Sequence, residues 1–197
     1  MNLGEVVVLS DDKDWTWVLE RPCPDCGFDA GAMPLHRTRE LLTGAASSLL
    51  EALRLPGSRT RPQPNTWSAL EYACHVRDTC DIFRDRIVLV VERDDPTFPD
   101  WDQDATAVEL RYDQQDPMAV GSELQQALDA LLTQIDAIPP DAWERPALRS
   151  NGSRFTLASL VQYLVHDPVH HAHDVALASL QDSGGRVRVS VPQQGAV

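Results

Sequence analysis

From residue 35 to about 180 the apolar positions recur every three or four residues, the spacing of helices buried along one side. Between about Leu35 and Leu55, the residues Leu42, Ala45, Ala46, Leu49, Leu50 and Leu53 share a stripe, and "PGSRTRPQP" ends it. The second pattern has a marked start. Ser68 stands at an N-cap position with Glu71 three residues later, and Trp67 and Tyr72 occupy the positions of a hydrophobic staple. From there to about Glu92, Tyr72, Val76, Thr79, Ile82, Phe83 and Val90 share one side with His75. Arg77, Asp81, Arg84 and Asp85 lie opposite or flanking. A third helix is predicted from Pro117, a favoured first-turn residue, to about Ala137, with Leu124, Ala127, Leu128, Leu131, Leu132 and Ile135 as its stripe. A fourth runs from near Thr156 to about Leu180.

The connections are long. Residues 94–116 hold eight Asp or Glu against one Arg and are broken by prolines, so this segment is expected to cross an end of the bundle. "IPPDAWERPALRSNGSRF" is a second such connection. Ahead of the helices, the run Val6 to Leu9 is expected to pair as a strand with "DWTWVLERP", and "CPDCGFDAGAMP" is rich in turn formers. After them, "RVRVSVPQQGAV" alternates and predicts one short strand. The expected fold is all-α: a four-helix bundle with long connections after the second and third helices and a short irregular or β N-terminal extension. Its parts are an extension over 1–34, the bundle over 35–183 and a tail over 184–197.

Charge and composition narrow the function. Thirty acidic against seventeen basic residues give a net charge of −13, a surface that repels phosphate backbones and anionic lipid. Neither nucleic acid nor membrane is an expected partner, and no run approaches the apolar length of a membrane span. The first fifteen residues lack the basic and apolar regions of a secretory leader, so a cytoplasmic protein is expected. Its four cysteines, at 23, 26, 74 and 80, are then expected as thiols.

Four of the six histidines and two aspartates fall within "HDPVHHAHDV", residues 166–175. On a helical wheel His170 lies about 40° from His166, His173 about −20° and Asp174 about 80°, whereas His171 is turned about 140° away. Two imidazoles four residues apart can hold one ion. His75 points inward from another helix, so His75, His166 and His170 form an expected three-nitrogen set with a fourth position open to water or substrate. Such donors suit Zn²⁺ first, with Ni, Fe, Co or Cu as alternatives. Pro168 lies between the paired histidines and is expected to kink the helix.

These residues resemble a known family. "WSALEYACHVRD" is similar to the W-S-x-x-E-x-x-x-H segment opening the second helix of DinB-superfamily proteins, and "HDPVHHAHDV" to their fourth-helix H-x-x-x-H. The resemblance covers about residues 35–180. It implies a four-helix bundle that binds a divalent metal through three histidines, carried over here to His75, His166 and His170. Relatives include thiol S-transferases using bacillithiol or mycothiol and mycothiol-dependent maleylpyruvate isomerases. Where many relatives have Gln three residues after the last ligand, this chain has His173.

Around that set, Glu71 reads either as a capping residue or as a group that orients His75 or takes a proton. His173 is open to roles as general base, substrate contact, fourth ligand or packed side chain. Asp78, Asp167 and Asp174 are candidates to accept the outer N–H of a ligand imidazole. "CPDC" supplies two metal ligands where a closed site needs four, and with only His36 at hand it is expected to be a turn with an oxidisable pair. Cys74 and Cys80 are expected core fillers. Trp101, Tyr112, Trp143 and Arg145, on the long connections, are candidate pocket walls.

The expected function is a metal-dependent enzyme acting on a small molecule, with a low-molecular-weight thiol of the mycothiol or bacillithiol kind as cosubstrate, giving S-transfer or isomerisation. The rival readings are a hydrolase using metal-bound hydroxide and a non-catalytic metal-binding or sensor bundle. A homodimer through an exposed helix face is an expectation without a motif behind it.

Overall fold

The computed structural model describes residues 15–183, and side chains as far as Ser179. Four long helices form the bundle: α1 (Thr38–Leu53), α2 (Ala69–Glu92), α4 (Pro117–Asp136) and α5 (Leu157–Ser183). A short α3 (Gln103–Glu109) lies in the acidic connection. α2 packs chiefly on α4, and α1 on α5. The apolar stripes read from the sequence close on each other: Leu42, Leu49, Phe83, Val90, Leu124 and Leu131 are buried in one core, which Leu70, Ile87, Leu157 and Leu160 complete.

Local chemistry sets where the helices begin. The Ser68 hydroxyl accepts from the backbone N–H of Glu71, while the Glu71 carboxylate accepts from the backbone N–H of Ser68. The Trp67 and Tyr72 rings meet edge-on at 5.7 Å, closing the staple. Asp116 caps α4 by accepting from the N–H groups of Met118 and Ala119, with Pro117 first in the helix. Thr156 and Ser159 exchange the same kind of side-chain-to-backbone bonds at the start of α5. α5 continues through Pro168 as one helix, although that residue lacks the N–H to bond the turn before it.

Two expectations change. The segment Trp15–Leu19 is a 3-10 helix and not a strand, so its proposed pairing fails on this side; residues 6–9 and the tail 184–197 lie outside the described residues. The β-structure sits in the two long connections. β1 (Thr97–Phe98) pairs parallel to β2 (Pro146–Arg149), which pairs antiparallel to β3 (Arg154–Thr156). Phe98, Ala147 and Phe155 point from this small sheet into the core. Arg145 fastens it to the end of α2, donating to the carbonyls of Val90 and Arg93. Among the described residues no helix is long and apolar enough to cross a membrane.

The N-terminal segment lies against α5. Gln162 donates to the carbonyls of Gly31 and Met33 at 3.2 and 3.0 Å. Gly31 passes so close to the 3-10 helix that a Cβ there would stand 2.0 Å from the carbonyl oxygen of Leu19.

Candidate metal centres

The middle of α5 carries donors in two adjacent rows, each four residues apart, and the rows face different neighbours. His166 and His170 face the N-terminal segment. There Cys23 and Cys26 sit in a tight turn in which the N–H of Gly27 donates to the carbonyl of Cys23, and Gly27 takes the left-handed φ of 72° that glycine tolerates. Cys23 Sγ lies 3.6 Å from His170 Nδ1, and Cys26 Sγ lies 3.9 Å from His166 Nε2. The four donor atoms all lie within 4.8 Å of one another. Trp15 covers this group, with its ring 6.1 Å from that of His166 and 5.8 Å from that of His170.

Asp167 and His171, one residue further along in each case, face α2. Both oxygens of Asp167 lie 3.2 Å from His75 Nε2, and Asp167 Oδ1 lies 3.4 Å from His171 Nε2. These three residues form a second donor group, again within 4.8 Å. His75 is fully buried, stacked at 5.1 Å and 4° on Trp101 from the acidic connection and 5.3 Å from the Trp67 ring. Its Nδ1 is buried without a hydrogen-bond partner. Thr79, one turn on from His75, donates to Asp167. Asp174 Oδ2 stands between the groups, 3.4 Å from His171 Nδ1 and 3.5 Å from His170 Nε2.

The environments set the two groups apart electrostatically. Burial pushes His166 down to about 4, helped by the neighbouring His170, and burial likewise lowers His170. Both rings are therefore neutral and able to coordinate. Burial also works against charge on His171, yet Asp167 and Asp174 outweigh it and raise that ring to about 9, so a cation taken up there must displace the proton on Nε2. Burial opposes charge on Asp167 too, but His75 and His171 hold it well below the usual carboxylate range. Burial, with Cys23 alongside, pushes the Cys26 thiol up to about 11.

A cavity of about 90 Å³, lined by Trp15, Gln103, Tyr163, His166, Asp167, His170 and His171, opens on these donors. A larger one of about 270 Å³ lies beyond Trp67 and Tyr72, whose ring is 4.7 Å from that of His171. Tyr163, which lines the small cavity, accepts through its hydroxyl from Arg149 at 3.4 Å.

The expected set is thus divided. Among the described residues His75 groups with Asp167 and His171, while His166 and His170 group with the cysteines. His171, set aside because the wheel turned it from His166, faces α2, because the row that meets His75 is shifted by one residue. Asp167, expected as an outer acceptor, is itself a donor in the His75 group, whereas Asp174 holds the outer position. Asp78 is elsewhere, bonded to Arg77 and to the Tyr112 hydroxyl. Glu71 is the cap: its oxygens accept from Ser68 and from Arg61 at 3.0 Å. His173 belongs to neither donor group, and its Nδ1 has no hydrogen-bond partner. His36 lines a different cavity with Trp143. Cys74 and Cys80 are buried in the core as expected. The grouping of the cysteines with His166 and His170 was readable only by joining C-x-x-C at residues 23–26 with H-x-x-x-H at residues 166–170, two halves of a familiar four-donor set.

Both groups suit a divalent cation by their donors: two imidazoles and a carboxylate in one, two imidazoles and two thiols in the other. The sequence model of the DinB superfamily matches residues 35–175. No curated protein matches the chain. Among solved structures, YfiT from Bacillus subtilis is similar, with a TM-score of 0.66 and 17% identity over 76% of this chain and 87% of that one. That protein is described as a probable metal-dependent hydrolase with an unusual four-helix bundle topology.

Proposed function

The chain belongs to the DinB superfamily, and from that premise we propose that it is a metal-dependent enzyme whose reaction takes place at His75, Asp167 and His171. One observation carries this reading: three donors of catalytic-site type, from two helices, converge where a small cavity opens. Two histidines and one carboxylate recur in hydrolytic zinc sites, and three protein donors leave a position for a reactant. A divalent ion held by them supplies Lewis acidity, lowering the pKa of a bound water or thiol and polarising a carbonyl.

The chain's own side chains do the rest. Trp101 and Trp67 fix the His75 ring and keep water from it. Asp174 accepts from His171 Nδ1 and so directs Nε2 of that ring towards Asp167. Tyr163 already accepts from Arg149, which leaves its own O–H to donate to a substrate oxygen in the cavity.

Hydrolysis is the reaction these features support best. The donor set matches that of hydrolytic zinc enzymes, and the similar bundle of known structure is described as a probable hydrolase. Transfer to a low-molecular-weight thiol is the second reading. The aromatic wall of Trp15 and Tyr163 favours it, since a sulfur nucleophile loses little hydration there.

The test is turnover on a panel of esters and amides, then on electrophiles offered with several small thiols, for wild type, Asp167→Asn, His171→Ala and His75→Ala. Hydrolysis lost in all three variants supports the first reading. Thiol consumption lost in all three supports the second. Activity surviving in His171→Ala and Asp167→Asn excludes this site as the seat of reaction.

A further inference from the structure

We propose that Cys23, Cys26, His166 and His170 hold a second, structural zinc ion that clasps the N-terminal segment to α5. Two thiolates and two neutral imidazoles complete a tetrahedral shell and leave no corner for substrate, which is the donor set of a structural site rather than a catalytic one. The spacing of the atoms agrees. With Zn–S and Zn–N bonds of ordinary length, the sulfur-to-nitrogen edge of such a tetrahedron is about 3.6 Å. Two of the four such edges are 3.6 and 3.9 Å, and all four donor atoms lie within 4.8 Å of one another. The C-P-D-C-G turn places both sulfurs on one side, with Gly27 at the φ that lets the chain double back. His170 offers Nδ1 to the cysteines while its other nitrogen faces Asp174, as ligand imidazoles do.

The clasp also accounts for a difficulty in α5. Pro168 removes a backbone hydrogen bond inside the stretch that must aim Asp167 and His171 at His75. Holding His166 and His170, the residues immediately before them, fixes the rotation of that stretch. The zinc ion is therefore a positioning element for the neighbouring donors, and it stands whether or not those donors catalyse anything.

Metal analysis of the purified protein tests this. Wild type is expected to carry about two equivalents of metal per chain, and Cys23→Ser/Cys26→Ser about one fewer, with the site at His75 still loaded but holding its metal more weakly, since the clasp no longer fixes the rotation of α5. His75→Ala is expected to lose the other equivalent and keep the clasp, so failure of the clasp and failure of the proposed active site give different results. Cobalt-substituted wild type and His75→Ala are expected to show a thiolate-to-cobalt charge-transfer band that the cysteine variant lacks. A readout on wild type avoids any folding defect: alkylation of Cys23 and Cys26, mapped by peptide mass, is expected to be slow until a chelator is added. The proposal is overturned if the two cysteines alkylate equally fast with and without chelator, if they are recovered as a disulfide, or if cobalt gives no charge-transfer band.

Discussion

His170 and His171 are consecutive residues whose rings lie 5.7 Å apart at 81°, one turned to the cysteines of the N-terminal segment and the other to His75 on α2. One helix thereby serves two donor sets, because rows i, i+4 starting at residues 166 and 167 diverge by about 100°. The carboxylate of Asp174 joins them, with one oxygen near both rings.

Asp174→Asn follows from that position. The amide carries no charge to stabilise the outer N–H of either imidazole, so both sites are expected to hold metal about 10- to 100-fold more weakly. Competition with a chromophoric chelator measures this. Equal affinity in wild type and variant, or a loss at one site only, would show that the shared carboxylate does not act on both.

The sequence shows most clearly what is local. Ser68, Glu71, Trp67 and Tyr72 lie within a few residues of each other, so their cap and staple can be read directly, and the same holds for Asp116 and Pro117. Which row of α5 meets α2 is a different kind of question. His166 with His170 and Asp167 with His171 satisfy the same spacing, and the choice rests on the rotation of the helix in the packed bundle, which periodicity interrupted at Pro168 does not fix. The cysteine group depends on segments 140 or more residues apart being brought together across the fold. The short strands Thr97–Phe98 and Arg154–Thr156 carry too few residues to alternate legibly.

Glu71 gives a pH-dependent stability. Burial raises its pKa, but bonds from Arg61 and Ser68 outweigh burial and hold it below the ordinary carboxylate value. A depressed carboxyl stabilises the fold above its unfolded pKa of about 4.3 and loses that contribution as pH falls through the folded value. Glu71→Gln is expected to cost about 2 kcal/mol near neutrality, with the gap to wild type shrinking as pH falls below about 4. Urea unfolding of both proteins over a pH series reads this, and the subtraction removes any acid effect on metal binding that they share. A gap that stays constant down to the lowest pH would contradict the ion-pair account.

Gly31 is a close-approach position, not a flexible one. A methyl group there meets the Leu19 carbonyl at 2.0 Å, a backbone atom that cannot give way cheaply. Gly31→Ala is expected to lift the N-terminal segment from α5, breaking the Gln162 bonds and displacing Cys23 and Cys26. The core of α1, α2, α4 and α5 does not involve this contact, so the effect should be local. Limited proteolysis is expected to cleave the variant ahead of residue 35 while the bundle resists, and the charge-transfer band of the cobalt protein should weaken. Resistance equal to wild type would mean that the backbone shifts without releasing the segment.

Tyr163 tests chemistry apart from metal retention. Its ring packs against Phe83 and Phe155, so phenylalanine at this position keeps the apolar contacts and leaves every residue of both donor groups in place. What Tyr163→Phe removes is the hydroxyl at the cavity and its bond from Arg149. If that hydroxyl donates to the oxygen on which charge builds up, kcat is expected to fall on the order of 10²-fold. KM and metal content should stay near wild type, because neither substrate positioning by the cavity walls nor the donor set has changed. An unaltered kcat with normal metal content would remove Tyr163 from the reaction and leave the donation to another group. A fall in metal content instead would mean that the hydroxyl supports Asp167 and acts through the metal ligands.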